Sequence, residues 1–160
     1  MIRPVSLSDS EIICGIYNYY ILNSTITFEE IPLTVDEMIY RIKNIIKDYP
    51  WLVYEEKDKV VGYTYAGKWK ERSAYRYSVE TGIYIDPNYT GKGIGSQLKG
   101  ELLKKLKENS IHSIVCGIAL PNPASIALCE KFGFEKVAHL KEVGFKFNKW
   151  IDVGYWELIL

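Results

Sequence analysis

One segment of the sequence constrains the fold more than any other, because a strand-like run, a glycine-rich turn, a helix and a second strand follow one another in it. The run Tyr75 to Ile85 alternates in the way that is typical of a half-buried β-strand, and Glu80 lies in its middle. An apolar helical stripe extends from about Gly93 to Lys107, and Ile114 to Leu120 has the continuous apolar character of a buried strand. This order predicts a right-handed crossover between two parallel strands.

Two amphipathic helices and a hairpin precede this segment. Each helix begins with a residue pair at the spacing of a capping box: Ser8 with Glu11, and Thr34 with Glu37. Apolar side chains recur on one face of both helices, and Pro50 closes the second. β-Branched and aromatic runs at Trp51 to Glu55 and Val60 to Ala66 flank a polar turn, which predicts an antiparallel hairpin. The helices can cover the sheet to which this hairpin belongs.

The C-terminal part of the chain adds a short helix and two further strands. Asn122 and Pro123 have the pattern of an N-cap followed by the first helical position, and Gly133 ends that helix. Strand-like segments follow at Phe134 to Glu142 and Trp150 to Leu160. No internal repeat or flexible linker divides the sequence, so residues 1–160 are predicted to form a single α+β domain with a mixed sheet.

Composition and charge exclude several classes of partner. The 48% share of hydrophobic residues is sufficient for a packed core, and the 20 basic residues balance the 20 acidic ones. A net charge of zero provides no electrostatic footprint for nucleic acid or an anionic membrane, so neither is expected as a partner. The three cysteines are widely spaced and form no CxxC pair, which argues against a disulfide framework and a metal site. We expect a soluble protein of the reducing cytoplasm, since no signal-like apolar segment is present.

The turn Thr90-Gly91-Lys92-Gly93-Ile94-Gly95-Ser96 connects a strand to a helix. Successive backbone N–H groups at the positive end of a helix dipole suit an anion such as a pyrophosphate. The Walker pattern is absent, and the dinucleotide fingerprint fails because Ser96 or Leu98 stands where its third glycine belongs. On these residues alone, an ordinary glycine-rich turn remains an alternative.

Several short blocks of sequence, distributed in a fixed order over nearly the whole chain, match a known family. The blocks are Ile83-Tyr84-Ile85, Gly91 to Gly95, Pro121-Asn122 with Ser125, and Glu130 to Phe134. Through them the sequence resembles the GCN5-related N-acetyltransferases. More narrowly it is similar to the phosphinothricin N-acetyltransferase branch, through the segments Tyr49 to Val53, Gly62 to Gly67, Trp69 to Tyr75, Val143 to Phe147 and Trp150 to Gly154.

This resemblance implies a fold and a co-substrate. The fold would be a twisted, mostly antiparallel sheet of about seven strands flanked by four helices, with a splayed parallel pair at the cofactor site. The co-substrate would be acetyl-coenzyme A, with its pantetheine arm along Ile83, Tyr84 and Ile85, its pyrophosphate on Gly91, Lys92, Gly93, Ile94, Gly95 and Ser96, and Asn122 beside it. Thr90 departs from the Arg or Gln that is usual in the family, so one longer polar contact is missing.

The same resemblance implies two catalytic candidates. Glu80 aligns with a glutamate of the branch and would act as the base that removes a proton from the substrate ammonium. The alternative is a solvent-facing glutamate without a role. Cys129 occupies the position where the branch has His and many relatives have Tyr. It would either donate a proton to the leaving thiolate or simply pack as a buried thiol.

The acceptor would be a small molecule with an amino group. Lys70, Arg72 and Tyr75 match acceptor-facing positions, and Phe28 would form a wall of the pocket. A cationic fork suits a carboxylate or phosphinate. The expected reaction is direct transfer, in a ternary complex, to an amino acid or analogue of the phosphinothricin, methionine sulfoximine or methionine sulfone type. A peptide or polyamine acceptor and a non-catalytic acyl-coenzyme A-binding module are the alternatives. A homodimer is expected, because relatives are commonly dimers.

Overall fold

Seven strands form one sheet in the order β1-β2-β3-β4-β5-β7-β6, and four α-helices cover it. The computed structural model describes all 160 residues. The strands are β1 (Ile2–Pro4), β2 (Trp51–Glu56), β3 (Lys59–Lys68), β4 (Ser78–Ile85), β5 (Ser113–Ala119), β6 (Glu135–Lys146) and β7 (Lys149–Ile159). The helices are α1 (Ser10–Asn23), α2 (Val35–Ile45), α3 (Ile94–Glu108) and α4 (Pro123–Lys131). The predicted α+β fold is confirmed.

The pair β4 and β5 is parallel, whereas every other pair in the sheet is antiparallel. Its pairing extends only from Ser78 opposite Ser113 to Glu80 opposite Val115. Beyond that point β4 stays paired with β3 as far as Ile85, and β5 stays paired with β7 as far as Ala119. The two strands therefore separate, as predicted, and each presents a backbone edge to the gap that neither strand fills.

Strand alternation divides the interior into two cores. Leu52 faces one core while its neighbours Trp51 and Val53 face the other, as expected for a pleated strand. The core under α3 and α4 includes Val61, Val79, Leu98, Leu102, Ile114 and Phe134. The core under α1 and α2 includes Ile13, Tyr17, Met38, Ile42, Val60 and Tyr63. None of the helices has the length and apolar character that crossing a lipid bilayer requires.

Some predicted boundaries are corrected. The first capping box joins Ser6 to Asp9 rather than Ser8 to Glu11, because a short 3-10 turn over Leu7–Asp9 precedes α1. The box of Thr34 with Glu37 is confirmed. The run from Tyr75 begins in another 3-10 turn, so the strand starts only at Ser78.

Candidate functional site

A cavity of about 540 Å³ occupies the gap between β4 and β5. Its walls include Glu80 to Tyr84 from β4 and Cys116 to Ala119 from β5. Further walls come from α3, α4, the loop after α1 and the strands β3, β6 and β7, and they include Lys99, Ser125, Phe28, Tyr65, Val143 and Tyr155. The cavity therefore exists because the only parallel pair of the sheet stops pairing halfway along.

Glu80 is the last residue of β4 that pairs with β5, so its side chain stands where the strands part. Its carboxylate is in contact with solvent through the open cavity, and no hydrogen bond within the chain engages it. Partial burial raises its pKa above that of an ordinary glutamate; the nearby Cys116 raises it further and Lys70 lowers it. A Cβ at Gly117 would lie 3.2 Å from Oε1 of Glu80, so this glycine makes room for the carboxylate. Glu80 is thus free to accept a proton from a bound molecule.

Gly82 faces the same side of β4 as Glu80, but the ring of Tyr65 fills the space that a side chain at Gly82 would occupy. A Cβ at Gly82 would lie 2.8 Å from Cε1 of Tyr65. The Tyr65 ring stacks on Trp51 with centroids 4.6 Å apart and forms part of the cavity wall. The missing side chain therefore admits the half-buried Tyr65 ring, a contact between β3 and β4 that the sequence did not reveal.

The glycine-rich turn places unsatisfied amides at the start of α3. Gly91 and Gly93 have φ of +74° and +78°, a region that glycine adopts without strain, and a Cβ at either position would meet open space. Gly93 is the N-cap, and no side chain caps the helix. Thr90 does not cap the helix either; its hydroxyl donates to the carbonyl of Pro87 at 3.1 Å. The first turn of α3 is accordingly open to an anion.

Other residues of this turn hold it in place or add charge. Ile94, the first residue of α3, packs in the core beneath that helix and anchors the helix start. Lys92 lies over the Tyr89 ring, with Nζ 4.4 Å from the centroid. Nζ of Lys131, at the end of α4, donates to the Ser96 hydroxyl at 3.0 Å. Lys131 belongs to a block that carried the family resemblance, but nothing local indicated a role beside the turn.

The strand segment predicted to hold the pantetheine arm is fixed on both faces. Ile83 and Ile85 pack against the core under α3, whereas the Tyr84 ring lies 5.0 Å from that of Tyr17. Ile83 and Tyr84 line the cavity, but Ile85 is absent from its wall, and its carbonyl accepts a hydrogen bond from Tyr20 at 2.5 Å. Backbone groups open to a ligand are therefore confined to the first part of the segment.

Asn122 lies in the cavity wall and caps α4. Its Oδ1 accepts the backbone N–H of Ser125 at 3.1 Å, which confirms the predicted cap. Since the carbonyl oxygen is used in this way, the side-chain NH₂ is the group left to contact a cofactor.

The acceptor candidates divide into two groups. Phe28 lines the cavity, and its ring lies so close to Gly144 that a Cβ there would approach it to 2.3 Å. Lys70 is close enough to influence Glu80, and its Nζ lies 4.8 Å from the Trp69 ring centroid. Lys70, Arg72 and Tyr75 are all exposed and lie outside the cavity wall, so their acceptor role stays a prediction. Lys68, which the sequence did not single out, lines the cavity instead.

Long-range polar contacts hold the loop that carries Phe28. Buried Lys146 donates to the carbonyls of Ser24 and Thr27, each at 2.8 Å. Arg41 binds the Glu29 carboxylate with both terminal nitrogens, and Tyr17 donates to the same group. The Arg41 guanidinium keeps the pKa of Glu29 below its usual value. The loop is therefore tied to α1, α2 and β6, which fixes the Phe28 side of the cavity.

Cys129 is buried and lines the cavity from α4. The neighbouring Cys116 and burial both raise its pKa strongly, so Cys129 keeps its proton. This placement agrees with the alternative in which Cys129 only packs. Its raised pKa makes Cys129 a weak acid and so does not support a role as proton donor.

Fold and site together define a class of enzyme. A mixed sheet that splays at its parallel pair, with a free carboxylate at the parting point and an uncapped glycine-rich helix start beside it, has the organisation expected of an acetyltransferase. The chain belongs to the GNAT acetyltransferase family: the family model described as an acetyltransferase (GNAT) domain matches residues 2–154. It is an N-acetyltransferase, as its relatives are.

Three relatives illustrate the similarity. The phosphinothricin N-acetyltransferase of Streptomyces viridochromogenes is 38% identical over 98% of this chain and 85% of its own length. The L-methionine sulfoximine/L-methionine sulfone acetyltransferase of Salmonella typhimurium is 33% identical over 99% and 94%. A phosphinothricin acetyltransferase from Sinorhizobium meliloti, solved in complex with acetyl-coenzyme A, superimposes with a TM-score of 0.97 at 35% identity, covering 100% of this chain and 88% of that one.

Proposed function

We propose that this chain transfers acetyl from acetyl-coenzyme A to the amino group of a small amino acid or analogue with an anionic side group. The observation that carries the proposal is the opening of the sheet immediately after Glu80, which leaves a free carboxylate in a cavity. The uncapped start of α3 adjoins that cavity, because a Cβ at Gly95 would contact Ile83 and Leu128 of its wall. Relatives named for phosphinothricin and for methionine sulfoximine and sulfone support the choice of acceptor.

The residues present fit the co-substrate. The amides from Gly91 to Ser96 would bind its diphosphate, and the free edge of β4 at Ile83 and Tyr84 would hydrogen-bond the pantetheine arm in the manner of an added strand. The NH₂ group of Asn122 would contact the same arm. Bound acetyl-coenzyme A supplies the thioester carbonyl that the amine attacks.

Glu80 is the general base of the proposed reaction. It accepts a proton from the substrate ammonium, directly or through one water molecule, because only the neutral amine has a free electron pair. The C–N bond then forms as the C–S bond breaks, within one ternary complex. Cys129 keeps its own proton, so the proton that the leaving thiolate takes up returns from Glu80 or from water.

The charge around Glu80 favours an anionic acceptor. Lys68 lines the cavity and pairs at 3.2 Å with the exposed Glu71, and Lys70, outside the cavity wall, acts on the Glu80 carboxylate. A polyamine would be repelled by these side chains, whereas a carboxylate or phosphinate would be attracted. A peptide whose N-terminal residue has a neutral side chain lacks an anionic group near its amine, so the two lysines would have nothing to recognise.

The decisive experiment measures free thiol released from acetyl-coenzyme A by the purified protein with a panel of amines. We expect release with amino acids, sulfoximines, sulfones or phosphinates, and little with polyamines. Glu80→Gln is the matched control for background hydrolysis. Binding of coenzyme A without thiol release from any acceptor would instead identify a non-catalytic acyl-coenzyme A-binding module.

Neutralising Lys70 or Arg72 is expected to weaken binding of the acceptor but not binding of acetyl-coenzyme A. Lys70→Gln should raise the acceptor KM by about threefold to tenfold, because an exposed ion pair is worth up to about 1 kcal/mol and partial desolvation adds to it. Arg72→Gln should have a smaller effect, since Lys70 but not Arg72 acts on the Glu80 carboxylate. The KM of acetyl-coenzyme A should not change. Arg76→Gln, which removes a cation stacked on Tyr77 in the same loop, is the control, and equal KM values in all three variants would contradict the assignment.

Lys131 is expected to strengthen binding of the diphosphate. Lys131→Met should weaken coenzyme A binding by about twofold to fivefold, with a larger loss at low salt, because the charge is exposed and screened by ions. Calorimetric titration measures the affinity directly. Lys107→Met, near the other end of α3, should have no effect, and the same affinity in both variants would show that Lys131 does not approach the cofactor.

A homodimer is the proposed assembly, in the cytoplasm where the three free thiols stay reduced. The hairpin of β6 and β7 exposes Val143, Phe145 and Trp150, which together form an apolar surface for a second copy. Light scattering after size-exclusion chromatography should give twice the chain mass, and Trp150→Arg should shift the protein toward the chain mass. A wild-type protein that elutes with the chain mass at high concentration would contradict the assembly.

A further inference from the structure

A buried lysine touches two cysteines at the inner end of the cavity. Lys99, in α3, is 2% exposed, and its Nζ donates to Sγ of Cys116 at 3.0 Å. The same nitrogen lies 3.4 Å from the Thr81 hydroxyl and 4.0 Å from Sγ of Cys129. No carboxylate forms an ion pair with Lys99. Since a buried ammonium requires a compensating charge, the acidic group available to supply it is the thiol of Cys116.

The contacts of Cys116 favour its thiolate. The Cys129 thiol and Lys99 both stabilise the negative charge, and the Thr81 hydroxyl lies 3.0 Å from the sulfur. They lower the pKa of Cys116 well below that of an ordinary thiol, despite burial, and the charge so formed contributes to the raised pKa of Cys129. The two cysteines thus share one proton and one negative charge.

The third cysteine has none of these contacts. Cys14 is buried in α1, where its thiol donates to the carbonyl of Leu33 at 3.2 Å. Burial raises its pKa, so it stays protonated. Cys14 is therefore an internal control for the reactivity of the other two.

Lys99, Cys116 and Cys129 line the cavity between β4 and β5 and form its contact with the core under α3. They are 2%, 5% and 4% exposed, so a reagent reaches the cluster only through this cavity. The acetyl transfer proposed above uses none of them. A nucleophilic thiolate next to a second thiol, at the end of a cavity shaped for a thiol-bearing arm, is a reactive arrangement without an assigned role.

We propose that Cys116 and Cys129 form a modification site for disulfides of small thiols. The Cys116 thiolate attacks one sulfur of the incoming disulfide, so that a mixed disulfide forms and one thiolate leaves. Cys129 then loses its proton and attacks the Cys116 sulfur, which forms the Cys116–Cys129 bond and releases the second thiolate. The two cysteines lose two electrons, the incoming disulfide gains them, and the proton of Cys129 goes to the released thiolates.

Coenzyme A disulfide is the reagent that the site fits best. Its diphosphate would bind the start of α3 while its pantetheine arm carries the sulfur into the cavity, a preference that rests on the proposed function. The reactivity of Cys116 itself does not rest on it. Oxidation removes the negative charge of Cys116 that helps to raise the pKa of Glu80, so it is expected to weaken this base and to slow acetyl transfer until a dithiol reduces the chain.

The test compares two reagents on the reduced full chain at mildly acidic pH, where an ordinary thiol is unreactive. Coenzyme A disulfide and glutathione disulfide are added in separate reactions, and intact mass and released thiol are recorded. We expect two thiols released per chain, a product lighter than the reduced chain by two hydrogens, and a linked Cys116–Cys129 peptide. Coenzyme A disulfide should react at least about tenfold faster, and saturating acetyl-coenzyme A should suppress that difference.

Variants separate the steps of the reaction. Cys129→Ser should stop at one mixed adduct on Cys116, and Cys116→Ser should abolish the fast reaction. Lys99→Met should shift the pH midpoint of the reaction to higher pH, whereas Lys104→Met, exposed on the same helix, should not. If Lys99→Met does not fold, the two cysteine variants decide the question. Modification of Cys14 as fast as Cys116, or no adduct in Cys129→Ser, would overturn the proposal. Equal rates with both reagents would remove coenzyme A disulfide as the preferred reagent and leave the thiol pair in place.

Discussion

Glu80→Gln is expected to lower turnover by about 10²–10⁴-fold while leaving the affinity for acetyl-coenzyme A unchanged. Glutamine preserves the shape of the side chain but cannot accept a proton from the substrate ammonium. The loss should be confined to kcat and to kcat/KM for the acceptor, because Glu80 lies at the parting of β4 and β5 rather than beside the turn of α3. Steady-state kinetics and a separate coenzyme A titration measure the two quantities.

The pH profile provides a second readout of the same variant. Burial and the nearby Cys116 raise the pKa of Glu80 above 4.5, so the base is lost at a higher pH than an ordinary glutamate as the solution is acidified. In the wild type, kcat/KM should therefore fall as the pH decreases, with a midpoint at a higher pH than an ordinary glutamate would give. Glu80→Gln should lack this limb, while the limb due to the acceptor's own amine should appear in both proteins.

Stability distinguishes a catalytic loss from misfolding. A carboxyl with a raised folded-state pKa destabilises the fold at any pH where it is ionised, because the folded state binds the proton more tightly than the unfolded one. Glu80→Gln should accordingly melt no lower than the wild type at neutral pH. Glu135→Gln, an exposed glutamate of β6, should retain full turnover. Wild-type turnover in Glu80→Gln would remove Glu80 from the mechanism.

Gly93→Val is expected to weaken coenzyme A binding by at least about tenfold. The φ of +78° at Gly93 is unfavourable for a residue with a Cβ, at about 1–2 kcal/mol, and a branched side chain would also enter the space that an anion needs. Relief of that strain would turn the first amides of α3 away from the ligand. Since 1.4 kcal/mol corresponds to a factor of ten, the strain alone accounts for that loss.

Thermal shift and kinetics together test this prediction. The rise in melting temperature that coenzyme A causes in the wild type should shrink or vanish in Gly93→Val. Turnover at saturating acetyl-coenzyme A should recover, because Glu80 and the acceptor wall are untouched. Gly15→Val, on the exposed face of α1 with nothing within 4 Å of its Cβ position, should bind coenzyme A normally. An unchanged affinity in Gly93→Val would show that the diphosphate lies elsewhere.

Much of the fold followed from patterns that are local in the chain. Alternation predicted the strand around Glu80, periodicity predicted α3, and the pair Thr34 and Glu37 predicted the start of α2. The first capping box was misplaced because the pair Ser6 and Asp9 has the same spacing as the pair Ser8 and Glu11. The 3-10 turn that follows β1 selects the first pair. Local signals identify elements well, but not which of two overlapping caps is formed.

The site was predicted in part. Glu80, Phe28 and Asn122 line one cavity and the glycine-rich turn precedes α3, while their roles stay predictions. Strand phase places Glu80, and residues adjacent in sequence place Asn122 and the turn. Arg72 and Tyr75 are placed by the path of the loop before β4, and this path carries them outside the cavity wall. Tyr65 occupies the space beside Gly82 because β3 and β4 pair in one particular register.

The order of elements, the crossover between β4 and β5 and the glycine-rich turn before α3 follow from the sequence alone, since each depends on periodicity or on neighbouring residues. Only the tertiary structure decided that Lys99, Cys116 and Cys129, from a helix, a strand and a second helix, share one buried cluster. In isolation each residue is ordinary. Their chemistry arises from burial and from distances of 3 to 4 Å, which depend on how the elements pack and not on any spacing along the chain.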